Sequence, residues 1–267
     1  MIMEKFKFFV VSDVHGHYSE LRRALKRAGF KVTEPSHKLV VVGDSFDRGS
    51  ESYELYKWLS KLIKKGKAIV LRGNHTYFFE SVLNKTERGF NFQHNGLDKT
   101  IDSFMHQTRA FEMFLLFNNL EYNQESFDKF ISYVSDSIQK EFPTIKEEIE
   151  ALPDYFETQN YIFTHGIIFN NQDFRNTPTS YWRKENHWAK PEDYATGYWN
   201  MTGKTIVVGH LDTETIKRAL KRREHLELVQ DRPYHTLYVK QFDTFFLDGC
   251  TILTKRINVL IVEDFMV

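Results

Sequence analysis

Five short runs of apolar residues punctuate the chain: Phe6–Val11, Leu39–Val42, Ala68–Leu71, Tyr161–Phe163 and Thr205–Val208. Each is near-continuous rather than alternating, the pattern of a strand covered on both faces. Between the first three the period changes to that of a helix. Tyr18 to Ala28 carries Leu21, Ala24, Leu25 and Ala28 on one face and stops at Gly29. Tyr53 to Lys64 carries Leu55, Trp58, Leu59 and Leu62 and stops at Gly66. Strands alternating with helices of this length predict βαβ units and a largely parallel sheet. From about Thr76 to Glu157 the rhythm is helical, polar and rich in Phe, clearest over Glu125–Phe142 ahead of Pro143. That region predicts a helical cap inserted over one end of the sheet. Beyond Leu211 the pattern predicts a helix through Glu227. Strands near Thr236–Val239, Thr244–Leu247 and Asn258–Val262 come next, available for a second sheet packed on the first. The expected fold is one α/β domain over residues 1–267, a β-sandwich flanked by helices, with the cap at about 76–157.

Composition narrows the function. Thirty-six basic residues balance thirty-six acidic ones. Coating nucleic acid or an anionic membrane needs a basic excess, so both are disfavoured as main partners. One cysteine, Cys250, rules out an intramolecular disulfide and reads as a small buried hydrophobe rather than a catalytic thiol. The apolar start ends directly in Ser12-Asp13-Val14-His15, with no cleavage-site pattern, and no run is long enough to span a bilayer. A cytoplasmic, membrane-free protein is the expectation.

The residues at the end of each strand carry the chemistry. The first run ends in Asp13-Val14-His15-Gly16, the second in Gly43-Asp44-Ser45-Phe46-Asp47-Arg48-Gly49, and the third in Arg72-Gly73-Asn74-His75. The fourth ends in Thr164-His165-Gly166 and the fifth in Gly209-His210. Ligands of open α/β sheets bind at the carboxyl ends of strands, so the five clusters should converge on one crevice. Asp, His and Asn supply the mixed oxygen and nitrogen donors that suit manganese, iron or zinc. Two such ions can share a carboxylate and a hydroxide and stabilise both oxygens of an in-line displacement. Each cluster alone is weak: an Asp-x-His pair arises by chance, and a lone histidine is more often a core residue. Five in order are specific.

As SDVHG, GDSFDRG, RGNHT, THGI and VGHLD, these motifs resemble the calcineurin-like metallophosphoesterases. The similarity is to the phosphoprotein phosphatase branch, with its bacterial and phage Ser/Thr phosphatases, and spans residues 12–210 without accounting for the cap. It implies a metal-dependent phosphomonoesterase of the metallophosphoesterase sandwich fold. A metal-bridging hydroxide would be the nucleophile. The implied cofactors are two divalent ions, manganese first, with iron, zinc or nickel as alternatives. Asp13 and His15 would hold one ion, Asp44 would bridge, and Asn74, His165 and His210 would complete the other site. His75 would be the general acid, oriented by Asp47. Arg48 and Arg72 would grip phosphate oxygens, and Arg183 of Tyr181-Trp182-Arg183 resembles a further phosphate contact, with a plain surface arginine as the alternative.

The sequence departs from the family pattern where the Glu after Gly-Asn-His is Thr76, and where the second Gly after His165 is Ile167. Asp212 stands where the phosphodiesterase branch has a second His, which favours a phosphoprotein or small phosphoester as substrate. The competing readings are a symmetrical diadenosine tetraphosphate hydrolase, a phosphodiesterase of the same fold, and a binding module that kept the fold. Retention of Asp47 tilts against the first; an undiminished ligand set tilts against the last. His17 reads as a neighbour of the site. His94, His106, His187, His225 and His235 show no ligand spacing. Asn95-Gly96 with Thr100 reads either as facing the cleft or as the start of a helix.

Overall fold

A computed structural model describes residues 4–108, 123–169, 174–196, 198–221, 223, 226–229 and 232–267. The part of the predicted cap at 109–122 lies outside them, as does His225. The strands are β1 (Lys5–Val11), β2 (His37–Val41), β3 (Ala68–Val70), β4 (Tyr155–Glu157), β5 (Tyr161–Thr164), β6 (Thr205–Val208), β7 (Leu228–Val229), β8 (Leu237–Val239), β9 (Thr244–Phe246) and β10 (Leu260–Phe265). They form two sheets, ordered β10-β1-β2-β3 and β4-β5-β6-β9-β8-β7. The pairs β1-β2, β2-β3, β5-β6 and β6-β9 are parallel, and antiparallel strands close the edges.

The period-2 geometry of β1 and β2 builds both sides of the first sheet at once. Phe8, Val10 and Val40 face the second sheet and meet Phe163, Val207 and Leu247 in a shared core. Phe9, Val11, Leu39 and Val41 face the other way, onto α1 (Tyr18–Ala28) and α2 (Ser52–Lys64). This double burial is what the near-continuous apolar runs reported. The molecule is a sandwich of two mixed sheets with helices outside.

The helical region comprises α3 (Asn74–Leu83), α4 (Phe90–His94), α5 (Leu97–Met105), α6 (Gln124–Glu141) and α7 (Ile145–Glu150). Phe79, Leu97, Phe104, Ile131 and Ile145 share a core there that reaches back to Phe46, in the turn after β2. On the far side, α8 (Thr179–Lys184), α9 (Pro191–Thr196), α10 (Thr213–Leu220) and the short α11 (Thr251–Thr254) complete the fold. Trp182, Tyr194 and Ile216 pack there against Ile206, Val208 and Phe246 of the second sheet.

Two expectations are corrected. The five motif strands do not share a sheet: β1–β3 lie in one and β5 and β6 in the other. The last strand does not join the second sheet either. It pairs antiparallel with β1, because Val262 and Asp264 are its buried positions while Ile261 and Glu263 face solvent.

Candidate active site

The carboxyl ends of the two sheets meet through hydrogen bonds between the motif turns. The His15 N–H donates to the Asp44 carbonyl (3.0 Å), and the Gly209 N–H to the His165 carbonyl (3.0 Å). The His210 N–H donates to the Asp13 carboxylate at 3.0 Å, crossing from sheet to sheet. These turns are tight. Asp13, His15, Asp44, Asp47, Arg48 and His210 all have positive φ, between 42° and 71°. Contact requires glycine at several positions in these turns: a Cβ on Gly73 would lie 2.1 Å from Asp44 Oδ1, and one on Gly209 2.3 Å from Asp13 Oδ2.

The histidine tautomers are set from outside the centre. His15 Nδ1 bonds the Phe46 carbonyl at 2.9 Å, His165 Nδ1 the Val42 carbonyl at 3.2 Å, and His210 Nε2 the Ala189 carbonyl at 3.0 Å. A carbonyl only accepts, so each of these nitrogens carries its ring's proton and the other offers a lone pair inward. The inward atoms converge. His165 Nε2 and His210 Nδ1 lie 3.0 and 3.2 Å from Asn74 Oδ1, and His165 Nε2 lies 3.3 Å from Asp44 Oδ2. His15 Nε2 is 3.9 Å from that same Asp44 oxygen.

Lone pairs aimed at one point, with buried carboxylates beside them, call for a cation. Burial pushes Asp13 up to about 6, against the pull of His165. Burial would raise Asp44 too, but His165, His75 and His15 outweigh it and hold that carboxylate well below its usual range. Burial would lower His165, yet Asp44 and Asp13 raise it to about 9, whereas burial and His165 depress His210 to about 3. When His165 holds a second proton its Nε2 donates instead; a divalent ion answers the same demand for a cation, and binding it would release that proton. Two groups of potential metal ligands are present among the described residues, His15-Asp44-His75 and Asp44-His165-His210, with Asp44 common to both.

His75 is a candidate for both roles, ligand and acid. Its Nδ1 bonds Asp47 Oδ2 at 2.8 Å, both side chains essentially without solvent exposure. Asp47 is itself held by Thr100 Oγ1, which donates to Oδ1 and accepts the Asp47 N–H, each at 2.8 Å. Asn74 and His75 open α3. Gly73 is the N-cap in extended conformation, and Thr76 at the third position accepts its N–H at 3.1 Å. The threonine thus makes the return bond of a capping box in place of the family's glutamate.

The arginines divide. Arg48 reaches into the centre, NH1 3.0 Å from His15 Nε2. Arg72 turns away: Nε donates to the Leu152 carbonyl at 2.7 Å, NH2 to the Glu150 carbonyl, and NH1 pairs with Glu80 at 3.3 Å. Arg183 stacks over the Tyr77 ring at 4.2 Å. His17 is buried beneath Gly49, and Cys250 is half-buried, its thiol pushed up chiefly by burial.

Sequence reading passed over Asp248, and named Thr100 and His187 without the partners they have here. Thr100 lies 53 residues from its partner Asp47, with no local signal beyond the Asn95-Gly96 turn. Asp248 follows β9 as the other acids follow their strands, and burial, with Asp13 beside it, raises it well above the usual range. His187 is fully buried against His165, its Nδ1 2.8 Å from the Tyr77 hydroxyl.

The family model described as calcineurin-like phosphoesterase matches residues 6–237. A bis(5'-nucleosyl)-tetraphosphatase PrpE [asymmetrical] of Halalkalibacterium halodurans is 35% identical over 75 residues, 26% of this chain and 30% of that protein. A bis(5'-nucleosyl)-tetraphosphatase, symmetrical, of Buchnera aphidicola is 25% identical over 169 residues, 62% of this chain and 58% of that one. The chain therefore spans under two thirds of these curated relatives. The crystal structure of a putative diadenosine tetraphosphatase superposes over 98% of this chain and 94% of its own, with TM-score 0.51 and 16% identity. At that identity the likeness is one of fold alone.

Proposed function

We propose that this chain, which belongs to the calcineurin-like phosphoesterase family, is a two-metal phosphoric ester hydrolase acting on phosphomonoesters, phosphoserine and phosphothreonine proteins among them. One observation carries the reading. Three histidines on three turns give their outer nitrogens to backbone carbonyls and turn their lone pairs toward a shared carboxylate, Asp44. Asp13, His15 and Asp44 would hold one divalent ion, and Asp44, Asn74, His165 and His210 the other. Such ions supply Lewis-acid polarisation of the phosphoryl oxygens and a water of lowered pKa. Manganese is the ion to test first, and the cytoplasm is the compartment we propose.

The chain's own groups do the rest. Arg48 offers a guanidinium fork to the phosphate oxygens. His75, its Nδ1 held by Asp47, has only Nε2 free to hand a proton to the departing oxygen. The buried Asp47 carboxylate orients the ring through that bond. Arg72 would join Arg48 at the phosphate only by giving up its contacts with Leu152, Glu150 and Glu80.

A second reading, hydrolysis of dinucleoside polyphosphates, is favoured by the matched relatives, whose names state that activity. The test is a turnover panel with manganese. It compares phosphoserine, phosphothreonine and phosphotyrosine peptides, dinucleoside polyphosphates and cyclic nucleotides. Higher kcat/KM on the phosphopeptides supports the first reading, and a dinucleotide at the top supports the second. Preference for cyclic diesters overturns both.

A further inference from the structure

Beside the proposed acid stands a row of rings that the reaction itself does not use. The His75 ring packs edge-on against Phe78 at 4.8 Å between centroids, and Phe78 in turn meets Trp188 at 6.0 Å. Phe78 is buried, but Trp188 is 46 % exposed. A single exposed aromatic is ordinary on a protein surface; the position of this one is not. Its neighbour His187 is buried against the ligand His165, and its other neighbour Ala189 gives its carbonyl to the ligand His210. The backbone on both sides is therefore held against His165 and His210, and the half-exposed indole lies beyond Phe78 from His75. Arg183 supplies a cation on the same segment, lying over Tyr77, whose hydroxyl bonds His187.

We propose that Trp188, backed by Phe78, is the platform on which the nucleobase of a leaving nucleotide stacks, with Arg183 meeting the phosphates behind it. The inference rests on the second reading, hydrolysis of dinucleoside polyphosphates, and names the group that would hold their base. His75 faces the departing oxygen, so whatever lies beyond His75 touches the leaving group rather than the transferred phosphate. A serine side chain is too short and too flexible to gain from a flat half-exposed ring. A base gains much: removing a stacked aromatic weakens nucleotide binding about 5- to 150-fold.

The test uses the full chain with manganese and two substrates, a dinucleoside tetraphosphate and a phosphoserine peptide. Trp188→Ala is expected to lower the ratio of their kcat/KM values by that factor, through KM of the nucleotide. Trp188→Phe should restore most of it. Trp199→Ala is the control, since that exposed indole packs on Phe242 and Arg223 instead, and it should leave the ratio alone. A second readout is independent of turnover: quenching of tryptophan fluorescence by AMP, present in the wild type and lost in Trp188→Phe. The platform is overturned if Trp188→Ala lowers both substrates equally, if the quench survives in Trp188→Phe, or if the wild type cleaves the peptide and not the dinucleotide. A metal-loaded wild type that cleaves no phosphoester defeats the hydrolase reading instead; the quench still decides the platform.

Discussion

Replacing His75 by Asn separates an acid from a metal ligand, the two roles its position allows. The ring belongs to one of the two candidate ligand groups, yet its Nδ1 is committed to Asp47 at 2.8 Å and its N–H to Asp44 Oδ1 at 3.0 Å. Asparagine keeps a donor near Asp47 and leaves the backbone bond to Asp44 in place, so the change removes the proton on Nε2 and little else. General acid catalysis contributes about 10²–10⁴-fold, and the contribution grows with the basicity of the leaving group. The alkoxide of a phosphoserine peptide needs the proton; a nitrophenolate hardly does. The variant should therefore retain two metals, lose about 10²–10⁴-fold in kcat on the peptide, and lose far less on p-nitrophenyl phosphate. Asp47→Asn should show the same selectivity in milder form. Arg48→Ala should harm both substrates alike, because gripping phosphate is indifferent to what departs. The assay is steady-state kinetics on both substrates at saturating manganese, with metal content measured on the same samples. Equal losses on the two substrates with both metals bound would refute the acid role. Loss of one metal would make His75 a ligand.

Three further outcomes are expected. Chelation should abolish activity and manganese restore it, with elemental analysis of the active protein giving two ions per chain; one ion or none removes the two-metal reading. Thr100→Val keeps the shape but strips Asp47 of both Thr100 bonds. A buried polar group left unpaired costs about 1–3 kcal/mol, so the melting temperature should fall by several degrees and turnover of the peptide should drop more than that of the aryl phosphate; an unchanged Tm contradicts it. Glu148 accepts from Ser60 at 2.7 Å and Tyr56 at 3.0 Å, pairs with Lys64 at 2.7 Å, and bonds Thr144 at 2.9 Å. Burial would raise this carboxyl, but these partners bring it from 4.5 to about 2. A depressed carboxylate stabilises the fold above its unfolded value and ceases to as pH falls through the folded one. Denaturant melts of wild type against Glu148→Gln should thus converge between pH 4.5 and 2, and parallel curves would count against the contact.

The strands and the polar clusters at their ends were legible because both leave a signature in a few consecutive residues. A run such as Leu39–Val42 is apolar on both faces because one face meets α2 and the other the second sheet. The polar residue that follows it must then serve the site at the strand's end. β4 was not legible, since Tyr155–Glu157 is an edge of three half-buried residues with no continuous run. Nor was the helical start at Asn74. Motif residues there read as a turn, and the helix depends on Gly73 lying extended and Thr76 reaching back to it. Arg72 has the residue type for phosphate, but its direction is set by the carbonyls of Glu150 and Leu152, some 80 positions on. Thr100 and His187 likewise act only through partners that sequence spacing does not reveal.

Those long-range partners also explain how a strained turn holds a catalytic geometry. Positive φ costs about 1–3 kcal/mol for an ordinary residue, less for the Asp and His types that fill most of the site's positive-φ positions. Arg48 is the exception, neither small nor self-bonding, with φ of 69°. What holds it is the start of α5. The Gly96 carbonyl accepts the Arg48 N–H at 3.0 Å, and Gly96 has no room for a Cβ, which would lie 2.6 Å from that nitrogen. One turn later on the same helix, Thr100 fixes Asp47. The segment predicted as a cap is therefore bound to the DRG turn at two successive residues, the arginine proposed to grip phosphate and the carboxylate behind the proposed acid. A lid that only covered substrate would need neither bond. Because α5 buries Leu97, Ile101 and Phe104 in the helical core, the packing of that core is coupled to the position of Asp47. Changes deep among the helices should reach Asp47 and Arg48 through this clamp, and Asn74 through α3, before they reach the other proposed metal ligands on the strand-end turns.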